Sequence, residues 1–296
     1  MKKIKSKILV ILGPTASGKS DLAVQLAKKF KGEVISADSR QVYKDMDLGS
    51  GKITPKEMSG ISHHLLDVIS PKQIYSVANY QKEAQQKITE ILSRNKLPII
   101  AGGTGFYIQS IVDNLSLPEV PPNTKLRTEL AKKTNEELFT ILKNLDLKRS
   151  KRIDPQNPHR LIRAIEIVNY LGKVPALKKE QKYDTLQIGL QTGPAHLEKK
   201  IISRLKKRLK QGMIAEVKKL HTSGITWKRL ESFGLEYTFI AQFLQHKISQ
   251  QEMEEKIIKD SLKYAKRQMT WFRKDKRIIW ISNPKEASKL VRAFLN

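Results

Sequence analysis

The chain has 296 residues, 56 lysines and arginines against 29 acidic residues for a net charge of +27, and no cysteine. That length allows one large domain or a core with a smaller lobe, and the missing cysteines exclude disulfides, thiolate metal sites and a cysteine nucleophile. No apolar run reaches the ~18 residues of a spanning helix, so no membrane partner is expected, while the charge excess points to a polyanion, although a lysine-rich proteome inflates it in the same direction.

The start, Met1-Lys2-Lys3-Ile4-Lys5, is basic, but the apolar run behind it, Ile8 to Leu12, is short and leads straight into a glycine turn. It reads as a first strand, Lys7 to Leu12, rather than a signal peptide, and a cytoplasmic protein is expected. An amphipathic helix follows from Lys19 to Phe30, then a short strand from Val34 to Ala37. Helical spacing of Val77, Tyr80, Ala84, Ile88, Ile91 and Leu92 predicts a helix over Ser76 to Asn95. Leu97 to Ala101 is the next buried strand. Strands alternating with helices indicate an α/β fold with a parallel sheet covered on both faces.

Leu117-Pro118-Glu119-Val120-Pro121-Pro122 breaks this alternation as a linker. Beyond it, helices are expected over Lys125 to Leu145 and His159 to Leu171, within a helical lobe of residues 119–186 inserted between two parts of the core, 1–118 and 187–296. Gln187 to Leu190 is the return strand. Helices over Pro194 to Gln211, Met213 to His221, Tyr237 to Leu244 and Ser249 to Phe272 precede a last strand, Arg277 to Ile281.

Gly13-Pro14-Thr15-Ala16-Ser17-Gly18-Lys19-Ser20 fits the pattern G-x-x-x-x-G-K-[ST], with a strand before it and a helix after it. The glycines let backbone N–H groups turn around an anion, and the helix start adds a positive partial charge. Lys19 supplies a point charge, and the Ser20 hydroxyl can hold Mg²⁺. ATP, GTP and a prenyl diphosphate would all suit such a loop.

Ligands of open parallel sheets sit beyond the carboxyl ends of the strands. Asp38 and Thr104 each follow a strand and should face the phosphate loop. Asp38 is either a proton acceptor or a turn residue, and Thr104, within Gly102-Gly103-Thr104-Gly105, is either a site residue or turn chemistry. Leu65-Leu66-Asp67 has the look of a Walker B element. His63-His64 lacks a third ligand at sensible spacing and reads as structural.

Six strings in this order resemble the tRNA dimethylallyltransferases (tRNA isopentenyltransferases) of bacterial type. They are the phosphate loop, Asp38-Ser39-Arg40-Gln41-Val42-Tyr43, His63-His64-Leu65-Leu66-Asp67, Ala101-Gly102-Gly103-Thr104-Gly105, Asn157-Pro158-His159-Arg160-Leu161-Ile162-Arg163-Ala164 and Tyr264-Ala265-Lys266-Arg267-Gln268-Met269-Thr270-Trp271-Phe272-Arg273. The resemblance implies a P-loop NTPase-like core with an inserted helical domain that binds tRNA. It implies transfer of a dimethylallyl group from dimethylallyl diphosphate to N6 of adenosine 37 in the anticodon loop, with Mg²⁺ as cofactor and a monomeric enzyme.

By the same resemblance, Asp38 is the general base and Thr104 sits at the reacting centre, against the departing diphosphate. Gly13 to Ser20 and Arg204 hold that diphosphate. Ser39, Arg40 and Gln41 contact the target base or its neighbours, and His159, Arg160, Leu161, Ile162 and Arg163 grip the anticodon stem-loop. Arg127 matches a further RNA contact. Two departures stand out. Without cysteine, the zinc-finger extension that eukaryotic members often carry is not expected here, and Ser232-Phe233-Gly234-Leu235-Glu236-Tyr237 stands where some members have a more basic string. Lys199 to Gly212 holds seven lysines and arginines with no acidic residue, and is expected to meet RNA phosphates. Lys266 and Arg267 beside Trp271 and Phe272 pose the same question, although aromatics at helical spacing are usually core.

Overall fold

The computed structural model describes residues 5–296, so the basic start Met1–Ile4 lies outside the described residues. The chain folds as two compact units, the residues up to Asn114 with Gln181–Asn296, and Leu115–Glu180.

The first unit is built on a six-stranded sheet. Its elements up to the break are β1 (Lys7–Leu12), α1 (Lys19–Lys29), β2 (Gly32–Ala37), α2 (Pro55–Met58), β3 (His63–His64), α3 (Val77–Ser93), β4 (Leu97–Gly102) and α4 (Gly105–Val112). The strands lie in the order β3-β2-β4-β1-β5-β6 and pair in parallel throughout. This is the expected α/β class with a P-loop NTPase-like core. Central strands buried on both faces need no alternation, and β1 and β2 are almost wholly buried. Ile8, Val10, Leu12, Ile35 and Ile100 pack under α3 and α4. Leu9, Ile11, Val34, Ile99 and Ile188 face the other way, against α1.

The second unit holds α5 (Thr124–Leu130), α6 (Asn135–Leu145), α7 (Leu147–Ser150) and α8 (Pro158–Leu171) around Leu138, Leu142, Leu161 and Ile165. The single helix expected over Lys125 to Leu145 is two. Thr134 starts the second with a capping box, its side chain accepting the Glu137 N–H. Such a cap satisfies amides that a continuous helix would have bonded internally.

The chain then re-enters the sheet as β5 (Asp184–Leu190), three residues earlier than expected, because Asp184, Thr185 and Leu186 pair with Lys7, Ile8 and Leu9. There follow α9 (Pro194–Lys210), α10 (Met213–Thr222), α11 (Trp227–Ser232), α12 (Leu235–Leu244), α13 (Gln250–Phe272), β6 (Ile278–Ile281) and α14 (Pro284–Leu295). Helices α9 to α13 share a second core, with Leu205, Met213, Val217, Ile240 and Ile257 closing over Val42 and Met46. No helix among the described residues is long and apolar enough to cross a membrane.

The register aligns the ends of the strands. Leu12 of β1 and Ala37 of β2 both pair with Gly102 of β4. The next residues, Gly13, Asp38 and Gly103, therefore leave the sheet side by side at its carboxyl edge.

Candidate active site

Gly13 to Ser20 wraps from β1 into α1. Ala16 (φ 60°) and Gly18 (φ 91°) adopt left-handed backbone with Ser17 between them. Such alternation turns successive amides inward as an anion nest, and α1 adds its unpaired N-terminal N–H groups. Within the loop the Ser17 N–H donates to the Pro14 carbonyl at 3.3 Å. The Ser17 hydroxyl is buried without a hydrogen-bond partner, a costly state for a polar group that a bound oxyanion would relieve. Lys19 Nζ donates to the Pro14 carbonyl at 2.6 Å. Burial pulls the Lys19 ammonium down to about 8, with Asp38 opposing the shift and Arg204 adding to it.

Two arginines of α9 reach this region and differ in their commitments. Arg208 is engaged, pairing with Glu236 at 2.7 Å and donating to the Leu48 and Gly49 carbonyls. Arg204 has no ion-pair partner among the described residues, and its guanidinium lies beside Gly51. It lines both a cleft of about 440 Å³ that holds Asp38 and a neighbouring one of about 820 Å³ that holds Ser17, Lys19 and Ser20. The free cation thus sits where the phosphate side meets the Asp38 side.

The two oxygens of Asp38 differ in their commitments. Oδ1 accepts the Arg40 N–H at 2.8 Å and the Gln41 N–H at 3.4 Å, which makes the turn. Oδ2 has no hydrogen-bond partner among the described residues. Thr104 is fixed beside it: its Oγ1 accepts the Ser39 N–H at 3.0 Å, and its N–H donates to the Ala37 carbonyl. Tyr264 lines the same cleft, its hydroxyl pushed up to about 12 by burial and then by the Asp38 charge.

Ser39 and Arg40 line the Asp38 cleft, but the Arg40 side chain donates to the Phe233 carbonyl at 2.5 Å. Gln41 is turned inward, its amide donating to the Gly51 carbonyl and accepting from Ser36. Asp67 does not form a Walker B position. β3 is only two residues at the sheet edge, and Asp67 follows in a turn (φ 54°), paired with Lys52 at 2.5 Å. His64 binds the buried Glu33 at 2.7 Å, and Arg94 and Lys96 bind the same carboxylate, so these histidines are structural.

In the second unit, Glu166 is 2% exposed and gathers Arg127, Arg163 and the Asn123 N–H. Arg163 also donates to the Val120 carbonyl at 3.0 Å. These two arginines therefore carry structural bonds. Leu161 is fully buried and Ile162 packs against the same core. Buried there, the Leu161 side chain is not presented at the surface as expected, whereas its neighbours His159 and Arg160 are exposed.

Sequence reasoning assigned no role to Gln268, on the buried face of α13. Its Oε1 accepts the Thr15 N–H at 2.8 Å and its Nε2 donates to the Gly103 carbonyl at 2.8 Å. One amide thus ties the phosphate loop to the turn that carries Thr104. A side chain at Gly103 would begin 2.3 Å from Nε2, so only glycine admits this bridge.

Residues 41–275 match the family model described as IPP transferase. A protein named tRNA dimethylallyltransferase 1, from Syntrophus aciditrophicus, is 42% identical over 283 residues, covering 93% of each chain. The tRNA dimethylallyltransferase of Halothermothrix orenii is 38% identical over 308 residues, covering 98% of this chain and 94% of its own. Among solved structures, a tRNA isopentenylpyrophosphate transferase from Bacillus halodurans superposes with TM-score 0.76 at 34% identity, covering 98% of this chain and 97% of the other. A eukaryotic dimethylallyltransferase acting on tRNA superposes with TM-score 0.78 at 29% identity, over 90% of this chain and 69% of that one.

Proposed function

The chain belongs to the IPP transferase family, and from that premise we propose that it transfers a dimethylallyl group from dimethylallyl diphosphate to N6 of adenosine 37 in the tRNA anticodon loop. Its class is that of a tRNA-modifying prenyltransferase. The observation that carries this reading is the juxtaposition, along one sheet edge, of a phosphate cradle and an aspartate with one oxygen free.

The nest amides of Gly13 to Gly18, Lys19 and Arg204 bind the diphosphate, and the orphaned Ser17 hydroxyl donates to it. As C1 of the allyl group bonds to N6, the C1–O bond breaks and its electron pair leaves with the diphosphate. Cations preset around that group stabilise the charge as it develops. The amine proton passes to Asp38 Oδ2, a step of general base catalysis. Thr104, held by the Ser39 N–H and the Ala37 carbonyl, lies against the reacting atoms.

No group of three His, Asp or Glu residues among the described residues forms a closed metal cage. The exposed Ser20 hydroxyl fits an ion that takes its other ligands from phosphate and water, the habit of Mg²⁺. An Mg²⁺ held by Ser20 would supply charge neutralisation for the leaving diphosphate. The exposed His159 and Arg160 hold the anticodon stem-loop, with Arg127 and Arg163 braced behind them by Glu166. The cationic stretch of α9 meets RNA phosphates. We place this activity in the cytoplasm and assign it to a monomer. The test is incubation with Mg²⁺, dimethylallyl diphosphate and unmodified tRNA, followed by mass spectrometry. A C5H8 addition to adenosine is expected, and an unmodified adenosine would overturn the reading.

A further inference from the structure

Residues 47–51, between β2 and α2, have both sides of their backbone held by charged side chains. Glu216 of α10 takes the amides. Its Oε2 accepts the Asp47 N–H at 2.9 Å and the Leu48 N–H at 2.6 Å, and its Oε1 accepts the Gly49 N–H at 2.9 Å. Arg208 of α9 takes the carbonyls, donating to Leu48 at 2.9 Å and to Gly49 at 3.2 Å. Bonds with one charged partner are the stronger kind, so this loop is tightly tied.

Two neighbours at the start of α12 hold the two clamps. The Tyr237 hydroxyl donates to Glu216 Oε1 at 2.9 Å. Its buried ring lies so close to Gly49 that a side chain there would begin 2.4 Å from a ring atom. Glu236, buried as well, pairs with Arg208 at 2.7 Å. Both residues belong to Ser232-Phe233-Gly234-Leu235-Glu236-Tyr237, the string that stands where some family members are more basic.

The held segment faces the candidate site. Gly49 and Ser50 line the cleft of Asp38, and Leu48 and Gly51 line that of Lys19. Gly51 is the point of contact with Arg204, since a side chain there would begin 3.0 Å from that guanidinium. The Gly51 carbonyl also accepts from Gln41, whose N–H is held by Asp38 Oδ1.

We infer that Glu216 and Glu236 are positioning residues: with Tyr237 and Arg208 they fix residues 47–51 as a wall that sets the Arg204 guanidinium toward the diphosphate. By charge alone the two carboxylates disfavour an anion in this region; by geometry they favour it. A cation set in advance spares the cost of ordering it when the ligand arrives. The inference rests on a diphosphate being the ligand of Arg204, as the proposed function has it.

The sign of the effect separates charge from geometry. The probe is inorganic diphosphate with Mg²⁺, bound to the full-length protein and followed by calorimetry. Glu216→Gln and Glu236→Gln each remove a negative charge, so charge alone predicts tighter binding. Positioning predicts the reverse, a Kd raised roughly tenfold, the low end of what a hydrogen bond to a charged group contributes. Tyr237→Phe keeps the ring and removes only the hydroxyl bond to Glu216. It should raise Kd in the same direction by less, and it serves where a glutamine variant fails to fold. In an Arg204→Ala background none of the three changes should weaken binding further, because the residue they act through is gone. Tighter or unchanged binding in the single variants, or an equal loss in the Arg204→Ala background, overturns the inference. A wild-type protein that shows this pattern but transfers nothing to tRNA overturns the proposed function and leaves the inference standing. Failure of the wild-type protein to bind diphosphate overturns both.

Discussion

Gln268 receives the Thr15 N–H on its Oε1 at 2.8 Å, a hydrogen bond that spans 253 positions of sequence. Its other end holds the Gly103 carbonyl. The C-terminal long helix thus sets the distance between the phosphate loop and the Thr104 turn. Replacing Gln268 with Leu leaves a buried N–H and a buried carbonyl unpaired. A loss of about 1–3 kcal/mol is expected, readable from the urea midpoint. The KM for dimethylallyl diphosphate should rise as well, because the loop that binds it loses its strut.

Lys19 gives the site a pH dependence of definite sign. Its ammonium titrates at about 8 in the free protein, and diphosphate binding needs it protonated. Affinity for dimethylallyl diphosphate should be level below pH 7 and fall as pH rises through 8, by up to about tenfold per unit. The check is KM against pH, alongside Lys19→Arg. Arginine stays protonated throughout this range, so the inflection near 8 should vanish in the variant.

Arg160 and Arg163 stand one turn apart on α8 but should separate in experiment. Arg160 is exposed and makes no ion pair among the described residues. Its removal should weaken anticodon stem-loop binding and reduce the salt slope by about 1, leaving the urea midpoint in place. Arg163 is tied to the buried Glu166 and to the Val120 carbonyl. Its removal strands a buried carboxylate, so Arg163→Ala should lower stability as well as RNA affinity. Equal stability of the two variants would contradict the assigned bracing.

The phosphate loop was legible in the sequence because its spacing is fixed by the anion it wraps, and Asp38 and Thr104 because strand ends in a parallel sheet share one edge. Gln268 was not. A glutamine inside a long helix has no local signature, and both its partners lie far away in the chain. The split between α5 and α6 was hidden for a different reason. Leu126, Leu130, Leu138 and Leu142 keep the same four-residue step across the break, so periodicity reads straight through it. The capping box of Thr134 and Glu137 was the visible signal. Likewise Asn283-Pro284 announces α14 by a cap and an N1 proline. No sequence feature told Arg160 from Arg163, since their difference depends on the buried carboxylate of Glu166.

The central claim is that the free oxygen of Asp38 removes the proton from the incoming base. Asp38→Asn isolates it, because the amide oxygen can still accept the Arg40 and Gln41 N–H groups while the other position no longer carries a basic oxygen. Single-turnover prenyl transfer should slow by about 10²–10⁴-fold, with tRNA affinity and the urea midpoint unchanged. Transfer by Asp38→Asn at a rate close to that of the wild type would contradict the account.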